Sequence, residues 1–281
     1  MKKTLAGENP RGTLTDRIEI GHHKCLIGAG APISSLGLDE QLRRVFPSLA
    51  EAAAGAGSSR VRSAATVGDN LAQHSRCWYY SRRGVRCSKK GGSKCFARVG
   101  VNRFHALFTG CMCVSPAVSN LAVSLAALDA RIAVLREGKV ERLTVARFFA
   151  SAWSDPTAHN SLKPADQILR VEIPVVAGLR SAYLQVSERS DAGRAIVSCA
   201  AAARVCGRTV RGARIVLGAI SPVPWQVAAA NRFLEGRIVN DDVATQAASL
   251  VLREAAPLSS NGYNLPIARA LIRRSLTQIV A

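Results

Sequence analysis

The sequence predicts an α+β protein, in which mixed elements are followed by a sheet and then by helices. Three observations carry this prediction: a run of short strands and helices in the first half, an alternating hairpin around Cys206 to Thr209, and two amphipathic segments near the C-terminus. The chain has 281 residues, of which 48% are hydrophobic, so it can form two domains or one large domain with a sizeable core.

Short elements alternate with turns in the first half of the chain. Arg17 to Ala29 alternates well enough for one or two strands. Leu38 to Ala54 has the spacing of an amphipathic helix with Leu38 on its apolar side, and Pro47 predicts a break in it. Leu121 to Ala130 has helical character, and Arg131 to Val140 predicts a pair of strands.

A domain boundary is predicted in Ser151 to Pro164, which holds two prolines and many turn-forming residues. One domain then covers residues 1–160 and a second covers residues 165–281. In the second domain we expect strands over Ile168 to Pro174 and Ala182 to Glu188, ahead of the hairpin.

The second domain is expected to end in helices. Asp241 to Ala255 and Pro266 to Val280 each begin with a polar residue or proline, as helices do, and each carries a helical pattern. A sheet followed by helices is the arrangement that places this domain in the α+β class.

The formal net charge of +19 indicates attraction to an anionic partner, or a basic surface that is either solvated or docked on another subunit. Nucleic acid is not the expected partner, since aromatic residues make up only 5% and no binding motif occurs. The longest uncharged run, Ala106 to Leu128, contains Pro116 and several polar residues, so no membrane span is expected. The N-terminal residues show no apolar signal segment, which predicts a cytoplasmic location, where cysteines are usually ligands or free thiols.

Four cysteines in a basic stretch, Cys77, Cys87, Cys95 and Cys113, are the strongest chemical signal. Between positions 76 and 103 the chain carries nine Lys or Arg and no Asp or Glu. Four thiolates on an iron–sulfur cluster carry net negative charge, which surrounding cations and backbone N–H groups stabilise. We therefore interpret residues 76–113 as an iron–sulfur insert.

The spacing C-x9-C-x7-C-x17-C leaves alternatives open, because it matches neither paired zinc-ribbon spacing nor the ferredoxin run. A zinc site and four free thiols are the other two interpretations. Cys111 competes with Cys113 as the fourth ligand. The remaining cysteines are expected to be small buried residues: Cys25, Cys199 and Cys206.

Three segments carry a family resemblance: RVRSAATVGDNLAQHSRCWYY, CSKKGGSKCFARVGVNRFHALF and CVSPAVSNLAVSLAALDA. They resemble the FAD-binding medium subunit of molybdenum hydroxylases, the xanthine dehydrogenase and carbon monoxide dehydrogenase family. The insert resembles the branch with a 4Fe–4S cluster, as in 4-hydroxybenzoyl-CoA reductase and periplasmic aldehyde oxidoreductase. The resemblance implies a PCMH-like α/β flavin domain over residues 1–160 with a truncated first lobe, followed by the family's C-terminal domain.

This resemblance implies an electron-transfer subunit of an oxidoreductase complex, with FAD and a 4Fe–4S cluster as cofactors. The implied partners are a molybdopterin-binding large subunit, which would carry the substrate chemistry, and a 2Fe–2S small subunit. No side chains form a recognisable acid–base constellation, so no catalytic residue is assigned here. The cofactors would carry the redox chemistry.

The family's flavin pattern A-T-I-G-G-N-L matches residues 65 to 71 and implies FAD contacts by a short set of residues: Ala65, Thr66, Val67, Gly68 and Asn70. Small residues there let backbone N–H groups approach a pyrophosphate, although an ordinary tight turn also explains the glycine. The resemblance also places Asn120 among the FAD contacts, although it departs from the family's H-P-S-D motif: it stands at the Asp position, where it can still hydrogen-bond but lacks the charge.

Several positions depart from the family pattern. Asp69 replaces a glycine, Gln185 stands where the family tends to have Lys, and the first flavin loop is not recognisable. The departures favour a first alternative, a flavin-free subunit that keeps the cluster as a relay or structural staple. The charge favours a second alternative, a zinc-stapled basic binding module.

Overall fold

The computed structural model describes residues 16–188 and 194–281, which form two antiparallel sheets with helices packed against them. This confirms the predicted α+β class. The predicted first lobe begins in residues 1–15, which lie outside the described residues. No helix in the described ranges is long and apolar enough to cross a membrane.

The first sheet has five strands in the order β1-β2-β5-β3-β4. Their bounds are β1 (Ile18–Ile20), β2 (Lys24–Gly28), β3 (Arg131–Arg136), β4 (Lys139–Thr144) and β5 (Gln167–Pro174). The β3–β4 hairpin turns at Glu137 and Gly138, whose φ angles of 51° and 76° suit a two-residue turn.

Strand β5 corrects one expectation, because the sequence analysis placed it in the second sheet. Its central residue Val171 lies opposite Ile27 on one side and Ile132 on the other, and all three are buried. These apolar cross-strand pairs place β5 in the middle of the first sheet. The chain therefore completes the first sheet before it enters the second. The domain boundary between residues 160 and 165 stays a prediction.

Nine short helices accompany the first sheet in the described part of the chain. They are α1 (Ile33–Leu38), α2 (Glu40–Val45), α3 (Pro47–Ala54), α4 (Ser59–Ala64), α5 (Val67–Ala72), α6 (Trp78–Ser81), α7 (Asn120–Ala127), α8 (Val145–Phe149) and α9 (Ser151–Ser154). The break at Pro47 is confirmed, and the proline occupies the first turn of α3. Leu38 is 77% exposed and does not belong to the apolar side, because α1 ends there and Asp39 caps a new helix.

The second sheet has four strands in the order β6-β7-β8-β9 and carries three helices. Their bounds are β6 (Leu179–Ser187), β7 (Ala195–Cys206), β8 (Thr209–Gly218), β9 (Trp225–Gln226), α10 (Ala228–Leu234), α11 (Asp241–Leu252) and α12 (Asn264–Val280). The β7–β8 hairpin and the two C-terminal helices are confirmed. One core lies between this sheet and α10–α12, and another lies between the two sheets, where α3 and α7 pack.

The cysteine insert contains little regular structure. Besides α6 it has two 3₁₀ turns, Ser88–Lys90 and Phe96–Arg98. Its own core is limited to three buried residues: Ala97, Ala106 and Val114. So small a core contributes little stability, so the insert depends on its contacts with the rest of the molecule and on cross-links.

The loop before α12 clamps the insert. Asn261 donates from its side-chain amide to the carbonyl groups of His105 (2.9 Å) and Ala106 (3.0 Å). Asn102 accepts from the backbone N–H of Ser260 at 2.9 Å. These bonds satisfy backbone carbonyls that the irregular insert leaves without sheet or helix partners.

We predict that Gly218→Ala lowers the free energy of unfolding by about 1–3 kcal/mol, the usual cost of overpacking. A Cβ atom at Gly218 would overlap Val123 of α7 and Ser198 of β7. Denaturant unfolding followed by circular dichroism measures the change. Gly84→Ala is the matched control, since nothing lies within 4 Å of its added Cβ atom; equal stability of the two variants would contradict this packing.

Candidate cofactor-binding site

The four predicted ligands line one cavity. Cys77, Cys87, Cys95 and Cys113 approach it from separate segments of the insert, although 36 positions separate the first from the last. Cys111 instead donates its thiol to the backbone carbonyl of Cys113 at 3.2 Å. Of the two candidates for the fourth ligand, Cys113 is therefore the one that faces the cavity.

Hydrogen bonds join the thiols to each other and to a histidine. A hydrogen bond from the Cys113 thiol lowers the pKa of Cys95 to about 5, and the same bond, with burial, raises the pKa of Cys113. Burial raises the pKa of Cys77, whose Sγ lies 3.2 Å from His105 Nε2. Burial also lowers the pKa of His105 to about 4, so this ring is neutral at pH 7.

Cations and carbonyl-bound side chains surround this cavity. Lys89 lines it, is only 6% exposed, and donates from Nζ to the carbonyl of Ala158 at 2.7 Å. Burial lowers the pKa of Lys89, and Cys113, Asp155 and then the other nearby thiols act against that shift. Arg98 donates to the carbonyls of Thr109 (2.8 Å) and Met112 (3.2 Å), which holds the segment before Cys113 in place.

The four thiols are not arranged around a single metal ion. Within residues 16–188 and 194–281, no three Cys, His, Asp or Glu side chains come together closely enough to hold one metal ion. A zinc ion needs four ligands converging at about 2.3 Å, whereas a 4Fe–4S cluster binds thiolates at separate irons. The cavity itself, of about 10 Å³, has room for roughly one water, so a cluster would take space that the thiol side chains now fill.

The turn predicted to contact FAD is closed by its own hydrogen bonds. Thr66 N–H and Oγ1 both donate to Asp69 Oδ2, at 2.9 and 2.8 Å. Val67 N–H donates to Ala31 O at 2.9 Å, and Gly68 N–H donates to Ala29 O at 2.8 Å. Because these donors are engaged, the turn does not fit a pyrophosphate in this conformation.

The glycine of this turn has a packing role. A Cβ atom at Gly68 would come within 3.2 Å of Ala29 O, so the residue allows the turn to lie against the loop after β2. Asn70 is buried and accepts from Ser119 Oγ at 2.6 Å. Ala65 accepts from Ile33 N–H at 2.9 Å. The structure thus brings Ala65, Thr66, Val67, Gly68 and Asn70 together as a packed junction.

An open cleft of about 270 Å³ lies beside Asn120. Its volume is near the lower end of the ~300–1,000 Å³ range of small-molecule sites. Residues from the insert, from the start of α7 and from the second sheet with its flanking loops line it, among them Phe104, Ser119, Asn120, Glu188, Arg194 and Ser198. Arg194 forms no ion pair with a described carboxylate and donates to the carbonyl of Arg76 at 3.1 Å. An aromatic side chain can accommodate a flat ring, and a guanidinium without an ion-pair partner among the described residues can accommodate a phosphate.

Two of the positions that depart from the family pattern contact each other. Asn120 Nδ2 donates to Gln185 Oε1 at 2.6 Å and to Tyr183 Oη at 2.9 Å. Gln185 Nε2 in turn donates to Gly55 O at 3.2 Å. A neutral amide pair therefore joins α7 to β6 at the two positions where the family pattern has charged residues.

Aromatic side chains connect the cysteine cavity with this cleft. Trp78 follows Cys77 directly, and its ring centroid lies 5.9 Å from Phe104 and 5.4 Å from His105. A narrow cavity lined by Cys77, Trp78, Phe104 and Arg194 continues toward the cleft, which Phe104 and Arg194 also line. The two sites are therefore neighbours.

Sequence reasoning missed several residues of this region. Lys89 was counted only as part of a basic stretch, and no local pattern marks Phe104, Glu188 or Arg194, which long-range packing brings to the cleft. The expectation of a buried Cys206 was wrong: it is exposed, because β7 ends there at the hairpin turn. Cys25 and Cys199 are buried as expected.

Two family models match the chain. The model described as "FAD binding domain in molybdopterin dehydrogenase" matches residues 14–176. The model described as "CO dehydrogenase flavoprotein C-terminal domain" matches residues 182–279. The first model alone covers more than half of the chain.

Two curated proteins are similar in sequence. The aldehyde oxidoreductase FAD-binding subunit PaoB of Escherichia coli K12 is 29% identical over 270 residues, which is 95% of this chain and 80% of that protein. The glyceraldehyde dehydrogenase medium chain of Sulfolobus acidocaldarius is 22% identical over 165 residues, 57% of each chain.

Solved structures share the fold. Quinoline 2-oxidoreductase from Pseudomonas putida 86 aligns with a TM-score of 0.68 at 21% identity, over 94% of this chain and 77% of the other. Carbon monoxide dehydrogenase from Hydrogenophaga pseudoflava aligns with a TM-score of 0.70 at 18% identity and the same coverage.

We predict that Asp69→Gly increases FAD affinity about tenfold, since it frees the Thr66 N–H and removes a negative charge, a gain of about 1.4 kcal/mol. Titration of flavin-free protein with FAD, followed by flavin fluorescence, measures the change. Asp69→Asn removes the charge but keeps a capping oxygen, so it separates the two effects. Unchanged or weaker binding by Asp69→Gly would show that the carboxylate does not oppose the flavin.

Proposed function

The chain belongs to the family of FAD-binding domains in molybdopterin dehydrogenases, and we propose that it is an electron-transfer subunit that holds both FAD and a 4Fe–4S cluster. The chain is a flavoprotein subunit of an oxidoreductase complex. The cluster, the place of the flavin and the identity of the residues that hold them are the parts that we propose.

The observation that carries the cluster proposal is the convergence of Cys77, Cys87, Cys95 and Cys113 on one cavity. Their segments have little core of their own, so a shared cofactor would cross-link them. The thiol of Cys95 is already poised as a thiolate, the form that binds iron. The surrounding chain supplies cations and no carboxylate between positions 76 and 103.

The cleft beside Asn120 is the proposed place of the flavin ring. Ser119 and Ser198 offer hydroxyl groups, and Phe104 offers an aromatic wall. Arg194 would counter phosphate charge, because it forms no ion pair with a described carboxylate and Glu188, which lines the same cleft, pairs with Arg103 instead. When bound, FAD and the cluster would supply two-electron and one-electron redox chemistry, respectively. The chain's own part is to hold the two sites close together and to shield the cysteines from water.

Two partner chains complete the proposal. A molybdopterin-binding large subunit would carry the substrate chemistry, and a 2Fe–2S small subunit would relay electrons to this chain. The strongly basic surface would suit acidic faces on those partners. The cytoplasmic location remains a prediction.

The flavin-free alternative has one specific observation in its favour. The turn at Thr66 to Gly68 is closed by internal hydrogen bonds and offers a phosphate no free backbone donor in this conformation. In that case the cluster alone would act, as an electron relay or as a structural staple of the insert.

The cofactor content of the purified protein decides between these functions. Iron and FAD are quantified on one anaerobically purified sample, together with its visible spectrum. About four irons and one FAD per chain support the proposal. Iron without FAD supports the flavin-free alternative, and zinc without colour supports the zinc-stapled basic module. A sample that contains neither metal nor flavin would contradict the proposal.

We predict that Cys95→Ser removes most of the iron and the visible absorption, because it deletes a cavity-facing thiol. Cys111→Ser is the matched control and should keep both, since that thiol is turned toward a carbonyl. Far-ultraviolet circular dichroism should show that the remainder of the chain stays folded in both variants. Full iron content in Cys95→Ser, or loss in Cys111→Ser, would show that the ligand assignment is wrong.

A further inference from the structure

We propose that Lys89 supplies a buried positive charge that sets the reduction potential of the 4Fe–4S cluster, an inference that rests on the proposed function. Lys89 does not carry a ligand atom in this proposal. Its ammonium group would act on the cluster electrostatically, from a fixed position beside it.

The burial of Lys89 requires an explanation. Among the buried residues of the described ranges, it is the only Lys, Arg, Asp or Glu, with 6% of its surface exposed. No described carboxylate lies within ion-pair distance of its ammonium group, and Asp155 acts on it only from beyond that distance. A buried charge normally requires a partner of opposite sign, because its desolvation costs several kcal/mol.

The fold fixes the ammonium group beside the cysteines. The 3₁₀ turn Ser88–Lys90 begins directly after Cys87, and a hydrogen bond from Ser88 N–H to Lys94 O at 2.8 Å closes the loop toward Cys95. Lys89 Nζ then reaches the carbonyl of Ala158 at 2.7 Å, in the loop after α9. A neutral carbonyl orients the ammonium group but does not neutralise it.

The missing negative charge is what a thiolate-bound cluster would provide. Lys89 lines the same cavity as the four cysteines. Reduction adds one negative charge to a cluster, and a fixed cation in a poorly hydrated site stabilises that charge more than surface cations do. Lys89 should therefore favour the reduced cluster and raise its reduction potential.

The neighbouring Lys90 offers a matched comparison. It lies in the same 3₁₀ turn, but its Nζ donates to the carbonyl of Arg82 at the exposed side of the insert. Water and salt screen its charge, so its removal should affect the cluster little. The two adjacent lysines thus separate the effect of burial from the effect of net charge.

The test is a redox titration of the full-length protein, monitored by electron paramagnetic resonance, for the wild type and three variants. Lys89→Met removes the charge and the N–H donor, Lys89→Gln removes the charge but keeps an N–H donor on a slightly shorter side chain, and Lys90→Met is the control. We expect both Lys89 variants to show at least a tenfold lower equilibrium constant for reduction, which is about 59 mV for one electron. Lys90→Met should match the wild type.

Each outcome has a separate meaning. An unchanged potential in Lys89→Gln, with iron still bound, overturns this inference and leaves the proposed function standing. A wild-type protein that binds no iron–sulfur cluster overturns the proposed function itself. A potential that falls equally in Lys90→Met shows a general charge effect and also overturns the inference.

A second measurement covers variants that do not retain iron. In metal-free protein no described carboxylate lies within ion-pair distance of the Lys89 ammonium group, and the neighbouring thiols and Asp155 offset its burial only in part, so Lys89→Met should raise the melting temperature of the metal-free chain. Lys90→Met should leave it unchanged. An equal or lower melting temperature for metal-free Lys89→Met would mean that the surrounding groups already compensate the buried charge. That result would overturn the inference.

Discussion

The arrangement of the molecule depends on one length of backbone, residues 105–120, which joins the cysteine insert to the second sheet. Ala106 N–H donates to Val114 O, and Leu107 N–H donates to Ile220 O, at 2.9 and 2.8 Å. Further along, Ala117 N–H donates to Ser221 O at 2.8 Å. These bonds tie the insert to the loop after β8 before the chain enters α7. The cysteine cavity and the cleft therefore keep a fixed relation, since Pro116 and Val118 line both the cleft and the narrow cavity behind Cys77.

The backbone segment 105–120 and the cysteine insert carry an excess of positive charge. Residues 70–128 contain no Asp or Glu, so the positive side chains of the insert have few carboxylates to pair with. Several of them bond to backbone carbonyls instead, as Arg98 does with Thr109 and Lys90 does with Arg82. Carbonyl bonds hold these side chains in place without cancelling their charge. A positive field of this kind destabilises the insert alone and stabilises any anion that it encloses.

Sequence reasoning reached the fold class and most elements because their patterns are local. The break at Pro47 and the β7–β8 hairpin follow from local conformational preferences and alternation. The position of β5 was not predictable in the same way, since a buried strand has the same pattern in either sheet. Among the site residues, the four cysteines could be singled out by type and number. The roles of Lys89 and Arg194 could not, because burial and neighbours across the fold distinguish them from the other cations of the chain.

The residues that depart from the family pattern form specific contacts in the structure. Asn120 and Gln185, which stand where the family pattern has charged residues, hydrogen-bond to each other as a neutral pair. Asp69 forms a capping box with Thr66 at the start of α5, and its carboxylate thereby fills the place that an anion would take at that turn. A flavin would then depend on a cation elsewhere for its phosphates, and Arg194 is in the cleft. In the proposed arrangement the Arg194 guanidinium would take over the phosphate contact that the closed turn does not offer, and the flavin ring would lie next to the cysteines.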